Sequence, residues 1–473
     1  DIESEVYSFD MLGEAARNSD QAESYYLSYK NAIDEVGKIN LIKNRSNGVS
    51  IKISALYPRY EMLKLREIEL TLIPRLISLV EYAKEKNVDI TIDAEEQDRL
   101  DISLEIIKKI AYSEKIKDWS GFGIALQAYG KRSIDVINWL EDLLKNRALM
   151  HLRLVKGAYW DYEIKHAQIS GYEDYPVFTK KSLTDLSYLA CAKRIFEIES
   201  IYPKFATHNA HTISAICHLG KNKDYEFQRL FGMGELLYKC SKDILQHDKK
   251  VSIYAPIGKY KDLLPYLVRR LLENGANSSF INRLLDPKTD SSSLARGPHD
   301  KIKEERKDIP LPKNIFTNRK NSKGLDLTQA HEIEKLNKEL RVFKDKKIHA
   351  TSIYLGRNSK NTTINNIVSI ADDSIIGSVV LDNVSDISNC LGKNLSKEWL
   401  LENVGGRSDT LKSIADDIEN NPYELIYFLM HEAGKTIHNA VDEIREAVDF
   451  LRYYAQQSSA LNSQSSQLGP TGE

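Results

Sequence analysis

Charged and polar side chains interrupt the most strand-like segments of this sequence. In HLRLVKG, Leu152 and Leu154 are apolar, and Arg153 stands between them. Side chains alternate between the two faces of a strand, so Arg153 lies on the face opposite to both leucines. The same alternation in IKIS, DITIDA, GIALQA and VSIYAP separates polar residues from apolar neighbours. The side chains predicted to share one face are Lys52, Asp93, Gln127, Arg153 and Tyr254.

The charges of this set indicate an anionic ligand. Lys52, Arg153 and Lys156 are cations, and Asp93 is the main carboxylate expected on the same face. An excess of positive charge is suited to a substrate carboxylate, a phosphate or an anionic flavin. A single charged residue at a strand end is more often part of a structural ion pair. Five strands with the same parity favour a shared site.

The segment YLVRRLLENGA predicts a helix that carries two further cations. Arg269 and Arg270 are adjacent and lie about 100° apart around a helix. Glu273 follows at a spacing that allows an ion pair with either arginine. A solvated helix face is the simpler interpretation of this segment alone. Both arginines reach one ligand only if the helix covers the site.

Other catalytic motifs are weak or missing in the sequence. THNAHT contains Thr207, His208 and Asn209, but no set of His, Asp and Glu has the spacing of metal ligands, so no metal site is predicted. No G-x-S-x-G or G-x-G-x-x-G motif occurs. HEAGKT lacks the upstream glycine and strand of a phosphate-binding loop. The four cysteines form no C-x-x-C pair and are interpreted as free thiols in a reducing compartment.

Eight strand-like segments, separated by helical or loop segments, must position these residues. They are VYSFDML, SIKIS, DITIDA, FGIALQA, HLRLVKG, FATHN, EFQRLFG and VSIYAPIG, all within the first 285 residues. This alternation predicts an α/β fold, a (β/α)8 barrel with functional groups at the carboxyl ends of the strands. A doubly wound open sheet is the alternative fold.

The remaining sequence predicts a linker over residues 286–349 and a second region over 350–473. The linker is rich in Asp, Ser, Lys and Pro, and its helix QAHEIEKLNKELRVF is expected to be solvated. The second region has strand and turn signals followed by a pair of amphipathic helices. Across all 473 residues the net charge is −2, which does not suggest a nucleic-acid partner. No apolar run has the length of a transmembrane helix.

Several long motifs occur in the order found in one enzyme family. YSFDMLGEAA, SIKISALYPRYE, DAEEQDRL, LRLVKGAYWD, FATHNAHT and YLVRRLLENGANSSF resemble the proline dehydrogenase domain of the bifunctional bacterial proline utilization A flavoenzymes. The resemblance covers residues 5 to about 285. HEAGKTIHNAVDEIREAVDFLRYYA and GPTGE resemble the start of the partner pyrroline-5-carboxylate dehydrogenase, an aldehyde dehydrogenase. We therefore expect an interior piece of a larger enzyme, without the NAD-binding core of the second activity.

The resemblance implies FAD-dependent oxidation of L-proline to Δ1-pyrroline-5-carboxylate, with hydride transfer to flavin N5. Arg269 and Arg270 would bind the proline carboxylate, and Glu14 would pair with Arg269 as a gate. The other implied substrate contacts are Lys52, Asp93, Leu230 and Tyr254, of which Lys52 and Asp93, together with Arg153, are expected to be catalytic. The implied FAD contacts are Ala94, Ala125, Gln127, Arg153, Lys156, Gly157, Ala158, Tyr159, Trp160, Thr179, Lys181, Thr207, His208, Asn209 and Glu273.

The resemblance also implies partners and a location. The electron acceptor would be a membrane quinone, so the enzyme would be cytoplasmic with possible peripheral contact at the inner face of the membrane. A homo-oligomer is compatible with the family. Two other functions remain open from the residues alone. One is a Schiff-base aldolase that uses Lys52 or Lys156, and the other is an inert scaffold or interaction module.

The substitution Arg270→Ala tests the carboxylate clamp. It should weaken proline binding by about 2–5 kcal/mol, because the substrate carboxylate would lose a desolvated cationic partner. The measurement is the Michaelis constant for proline. An unchanged constant would contradict the assignment of Arg270 to the substrate carboxylate.

Overall fold

The computed structural model describes most of the chain. The described residues are 5–43, 46–258, 263–264, 267–268, 296–302, 309–354, 357–358, 363–382, 384–385, 388 and 402–463. The chain divides into two compact units. The first comprises Asp1–Lys165 and Tyr175–Ile309, and the second comprises His166–Asp174 and Pro310–Glu473.

Eight parallel strands form a closed barrel in the first unit. Each strand pairs with the next one in sequence, and the eighth pairs in parallel with the first. The closed ring confirms the predicted (β/α)8 barrel over the open doubly wound sheet. The strands are β1 Tyr7–Met11, β2 Gly48–Ile51, β3 Asp89–Ile92, β4 Phe122–Gln127, β5 Met150–Val155, β6 Ile201–Ala206, β7 Glu226–Leu230 and β8 Lys250–Ile257.

Helices connect the strands, as the sequence predicts. Their apolar residues recur at helical spacing, as in the fully buried Ile102, Ile106 and Ile110 of one helix. The helix predicted after the eighth strand lies largely outside the described residues. The helices of this unit are α1 Ser19–Lys43, α2 Leu65–Glu85, α3 Leu100–Ala111, α4 Ser133–Leu144, α5 Trp160–Ile169, α6 Lys181–Phe196, α7 Ala210–Leu219, α8 Glu235–Leu245 and α9 Pro298–Ile302.

Strand register brings the polar positions of the barrel to the same level. Ser8 of β1 is opposite Tyr254 of β8, and Asp10 of β1 is opposite Ser50 of β2. On the far side of the ring, Ala125 of β4 is opposite Arg153 of β5. Because Ala125 is small, we infer that it leaves room for the long Arg153 side chain.

The described part of the second unit contains five short strands and four α-helices. The elements are α10 Ala330–Arg341, β9 Ile348–Thr351, β10 Ile353–Tyr354, β11 Arg357–Asn358, β12 Ile364–Val368, β13 Ile375–Val380, α11 Val404–Asn420, α12 Tyr423–His431 and α13 Ile437–Ser463. β12 lies antiparallel to β13, which lies parallel to β9, and β10 pairs with β11.

The second unit differs in two respects from the sequence-based expectation. The predicted pair of helices is three helices, because Pro422 separates α11 from α12, and Gly434, with φ of +65°, lies between α12 and α13. Part of the predicted linker packs against α13, where Arg319 and Ser322 both contact Asp449. The division at residues 285 and 349 remains a prediction.

Candidate active site

The Arg153 side chain connects strands from across the barrel interior. Its Nη1 lies 2.5 Å from Asp93 Oδ1, while Nη2 donates hydrogen bonds to the hydroxyls of Ser8 at 2.8 Å and Ser50 at 3.0 Å. These partners come from β1, from β2 and from the residue that follows β3. Arg153 is only 3% exposed. The predicted inward direction of this side chain therefore agrees with its contacts.

Lys52 lies between two carboxylates in the same network. Its Nζ is 2.5 Å from Asp10 Oδ1 and 3.4 Å from Asp93 Oδ2. Burial alone would lower the pKa of Lys52, but the attraction of the two carboxylates outweighs it and holds that pKa well above its usual value. Burial raises the pKa of Asp10, yet the short contact favours the ionised pair. Lys52 is therefore an ammonium group.

Tyr254 completes the network on the β8 side. Its hydroxyl donates a hydrogen bond of 2.7 Å to Asp93 Oδ2, and its ring centroid lies 4.9 Å from the Arg153 guanidinium carbon. Burial and the nearby carboxylates raise the pKa of Tyr254 well above its usual value, so the phenol keeps its proton. Four of the five residues predicted to share a face thus meet through Asp93.

Gln127, the fifth residue of the predicted set, makes different contacts. Its Nε2 donates to the Glu95 carbonyl at 2.7 Å, and its Oε1 accepts from the Ala158 backbone N–H at 3.2 Å. It therefore connects the segments that follow β3 and β5. Gln127 also lines a cavity at the ends of β3 and β4 with Asp93, Ala94 and Ala125.

The structure groups several residues predicted to contact the cofactor. Lys156 forms an ion pair with Asp185 of α6, and Lys181 lies 3.5 Å from the same carboxylate group. Burial opposes the charge of Asp185, but the attraction of the two lysines outweighs burial and lowers its pKa. Trp160 Nε1 donates to the carbonyl of Phe178, next to Thr179, at 2.9 Å. Asp185 was not predicted from the sequence.

The segment after β6 is fixed by local hydrogen bonds. Asn209 caps α7 by accepting from the Thr212 N–H at 3.0 Å, and its own N–H donates to Thr207 Oγ1. His208 Nε2 accepts from the Leu230 N–H at 3.1 Å. Leu230 in turn lies opposite Tyr254 in the β7–β8 register. The predicted cofactor residue His208, which follows β6, and the predicted substrate residues Leu230 of β7 and Tyr254 of β8 are therefore neighbours.

Some predicted residues cannot be related to this cluster. Arg269, Arg270 and Glu273 lie outside the described residues. Glu14 is described, in the segment after β1, but its predicted partner Arg269 is not. The gate between them and the carboxylate clamp remain predictions.

Asp10 is a site residue that the sequence analysis missed. Alternation along β1 gives Asp10 the same parity as Ser8, whose hydroxyl contacts Arg153. The alternation test applied to β1 would therefore have placed Asp10 on the polar face. Its side chain is 2% exposed and it pairs directly with Lys52.

A second buried carboxylate lies at the carboxyl ends of β3, β4 and β5. Glu163, in the first turn of α5, accepts hydrogen bonds from the Gln97 N–H at 2.8 Å and the Tyr129 hydroxyl at 3.0 Å. Burial raises the pKa of Glu163 to about 7, and the carboxylates of Asp98 and Glu96 add to the rise. Glu163 carried no signal in the sequence, because its partners come from two distant loops.

Two features fit a planar ligand with hydrogen-bond acceptors at this end of the barrel. Arg153 Nε is buried and has no hydrogen-bond partner among the described residues. Gly157 is partly exposed, has no side chain and adopts φ of +139°, a backbone conformation that favours glycine. Within the described part of the chain, no group of three or more His, Cys, Asp or Glu has a geometry suited to a metal ion.

The closed barrel and its polar network indicate the class of protein. A closed parallel barrel with a polar network at its carboxyl ends is the arrangement of the (β/α)8 enzymes. Residues 3–283 match the proline dehydrogenase family, and residues 357–473 match the aldehyde dehydrogenase family. Since the first match covers more than half of the sequence, the chain belongs to the proline dehydrogenase family.

Curated relatives and solved structures are similar over almost the whole chain. The bifunctional protein PutA of Salmonella typhimurium is 41% identical over 95% of this chain, and PutA of Rhizobium meliloti is 38% identical over 98%. The chain spans only 36% and 39% of those two proteins.

Two crystal structures show the same similarity. A mutant of proline utilization A from Bradyrhizobium japonicum superposes with a TM-score of 0.84 and 37% identity, covering 98% of this chain and 46% of that one. Proline utilization A from Bdellovibrio bacteriovorus, inactivated by N-propargylglycine, superposes with a TM-score of 0.88 and is 26% identical. The match covers 97% of this chain and 50% of that one.

Within the described residues, no helix has the length and apolar character needed to cross a bilayer.

The substitution Asp10→Asn tests the buried ion pair. It should lower the free energy of unfolding by about 3–5 kcal/mol, because Lys52 would lose its nearest carboxylate while remaining buried. The measurement is thermal or denaturant unfolding. Glu35→Gln is the matched control, since it breaks the exposed Lys38–Glu35 pair and should cost less than about 1 kcal/mol. Equal losses in the two variants would contradict the role of Asp10.

The buried Glu163 predicts a pH-dependent difference from Glu163→Gln. A carboxyl whose pKa rises from 4.5 to about 7 on folding contributes stability that is complete below pH 4.5. That contribution is lost as the pH rises through 7. Glutamine does not ionise. The free energy of unfolding of E163Q, relative to that of the wild type, should therefore rise by up to about 3 kcal/mol between pH 4.5 and 8. Unfolding midpoints across this range measure the difference, and parallel curves would refute it.

Proposed function

We propose that this chain oxidises L-proline to Δ1-pyrroline-5-carboxylate with FAD as cofactor, the first step of proline catabolism to glutamate. The observation that supports it most directly is the network of Lys52, Asp93, Arg153 and Tyr254 in a chain of the proline dehydrogenase family. These side chains have no redox chemistry of their own, and FAD would supply the hydride acceptor, its N5 atom.

The substrate would lie over the network at the carboxyl ends of the strands. Its carboxylate would contact Arg269 and Arg270, with Lys52 as a further cation. Leu230 and Tyr254 would pack on the ring, a role compatible with their neighbouring positions in the barrel. Asp93 holds Lys52 and the Tyr254 hydroxyl in place, so it would orient the groups that face proline. Glu14 would close the site by pairing with Arg269.

The flavin ring would lie beside Arg153, whose Nε has no partner in the described part of the chain and could donate a hydrogen bond to it. Gly157 is partly exposed and has no side chain, so its backbone would allow close approach of the ring. Lys156 and Lys181 are positive groups suited to the phosphate or ribose end of the cofactor. The other proposed contacts are Ala94, Ala125, Gln127, Ala158, Tyr159, Trp160, Thr179, Thr207, His208, Asn209 and Glu273.

The network makes a Schiff-base aldolase less favourable. A lysine that attacks a carbonyl must be a neutral amine, and such lysines usually have a lowered pKa. Lys52 instead has two carboxylate partners and a raised pKa. Lys156 is also paired with a carboxylate, that of Asp185. Borohydride trapping of a carbonyl substrate on either lysine would support the aldolase.

The partners of the reaction are proposed from the family. A membrane quinone would reoxidise the flavin, and L-proline would be the small-molecule substrate. The region similar to aldehyde dehydrogenase would belong to the NAD-dependent second step of proline catabolism. A homo-oligomer and a cytoplasmic location at the inner face of the membrane also remain proposals.

An anaerobic absorbance spectrum tests the proposed function. The purified chain, supplied with FAD, should show the two visible bands of an oxidised flavin, and L-proline should bleach them. Glycine is the control, because it has the same charged groups but no ring carbon that can lose a hydride to form the pyrroline. A colourless protein, or a flavin that proline leaves oxidised, would refute the proposal.

A further inference from the structure

Glu163 is a buried carboxyl that the proposed reaction does not use. Only 2% of the residue is exposed, and a single oxygen, Oε1, accepts from both the Gln97 N–H and the Tyr129 hydroxyl. Gln97 follows β3, Tyr129 follows β4, and Glu163 itself follows β5. One carboxyl group therefore joins the segments at the carboxyl ends of three neighbouring strands.

Tyr129 connects this carboxyl to the loop formed by residues 156–160, which we name the cofactor loop. The Tyr129 N–H donates to the Lys156 carbonyl at 2.8 Å. Its ring lies directly against Gly157, where an added Cβ would be 2.4 Å from ring carbons. With the Tyr129 ring in this position there is no room for a Cβ at residue 157, and φ of +139° also favours glycine there.

A parallel bridge runs through Gln127. It joins the Glu95 carbonyl to the Ala158 N–H, so the cofactor loop is attached to the segment after β3 at a second point. The two bridges differ in what they hold. Gln127 binds the loop directly, whereas Glu163 holds Tyr129, whose ring and backbone then support Lys156 and Gly157.

We propose that Glu163 is a positioning residue for the cofactor loop, which it holds in the shape that receives the flavin. This inference rests on the proposed function and deepens it, because it assigns the support of the flavin site to a residue that does not itself contact the flavin. This role requires, at residue 163, an oxygen atom that accepts hydrogen bonds from two donors on different loops. Both a carboxylic acid and an amide oxygen meet this requirement.

The charges around Glu163 favour its neutral form. Glu96 and Asp98, from the segment after β3, are both acidic and repel an ionised carboxylate. Arg99 is paired with Glu95 and Glu96, so its charge is already partly balanced. The hydroxyl of Tyr129 faces Glu163 from the β4 side, and burial raises the pKa of that phenol well above its usual value. An amide in place of Glu163 should therefore preserve the bridge.

The test compares the FAD affinity of the full chain with and without the hydrogen-bond acceptor at residue 163. FAD is removed with a chaotropic salt and titrated back while the quenching of flavin fluorescence is followed. Glu163→Ala should raise the dissociation constant by about tenfold or more, equivalent to the loss of about 1.4 kcal/mol. Glu163→Gln should restore binding to within about threefold of wild type, because its carbonyl still accepts both hydrogen bonds.

Two further variants separate positioning from general destabilisation. Glu226→Ala removes another buried carboxyl, which accepts from Ser252 at the amino end of β7, so it should leave FAD affinity within about threefold of wild type. Tyr129→Phe removes one of the two hydrogen bonds and should raise the dissociation constant by several-fold. If Glu163→Ala does not fold, the FAD affinity of Tyr129→Phe still tests the proposal. The same affinity in the Glu163→Ala and Glu226→Ala variants, or no rescue by glutamine, would overturn the proposal.

Amide hydrogen exchange of the flavin-free protein gives a second readout. The Gln97 and Tyr129 amides should exchange faster in Glu163→Ala than in Glu226→Ala, since only the first variant releases both segments. Equal exchange would overturn the bridge. A wild-type chain that binds no FAD would overturn the flavin assignment and this inference together. A wild type that binds FAD as tightly as Glu163→Ala would overturn the inference alone.

Discussion

The barrel interior depends on one guanidinium group. Arg153 extends from β5 across the barrel to Asp93, and its second nitrogen reaches hydroxyls on β1 and β2. A buried cation is costly unless it is paired with a carboxylate and hydrogen-bonded, and Asp93 and the two serine hydroxyls supply these partners to the terminal nitrogens of Arg153. The position of Asp93 then decides where Lys52 and the Tyr254 hydroxyl lie. The hydrogen bonds and the ion pair of Arg153 thus determine where the other charged side chains of the candidate site lie.

Alternation along the strands made much of the fold and part of the site predictable. The alternation of apolar and polar residues indicated all eight strands, and the parity of Lys52, Asp93, Arg153 and Tyr254 follows from that pattern. Two strands begin earlier than their predicted segments, since β2 and β6 each share only two residues with SIKIS and FATHN. The alternation of side chains along a strand predicts which of them point inward, but it does not predict which of them contact each other. Gln127 has the same parity, yet its hydrogen bonds go to backbone groups of two loops.

Residues outside the strands were not predictable in the same way. Glu163 and Asp185 lie on helices, and each is defined by partners from other segments, so no local pattern marks them. The second unit was less accurately predicted for a related reason. Amphipathic spacing continues across Pro422 and Gly434, but backbone geometry divides the helices there.

The network also has a consequence for the order in which the chain folds. Tyr254 lies on the last strand of the barrel, whereas its partner Asp93 follows the third, and Arg153 bonds to Ser8 on the first. Contacts between residues so distant in sequence carry a large loop-closure cost and form late. The site is therefore assembled only when β8 pairs with β1 and closes the ring. A folding intermediate with an open sheet would contain most of the secondary structure and no complete site.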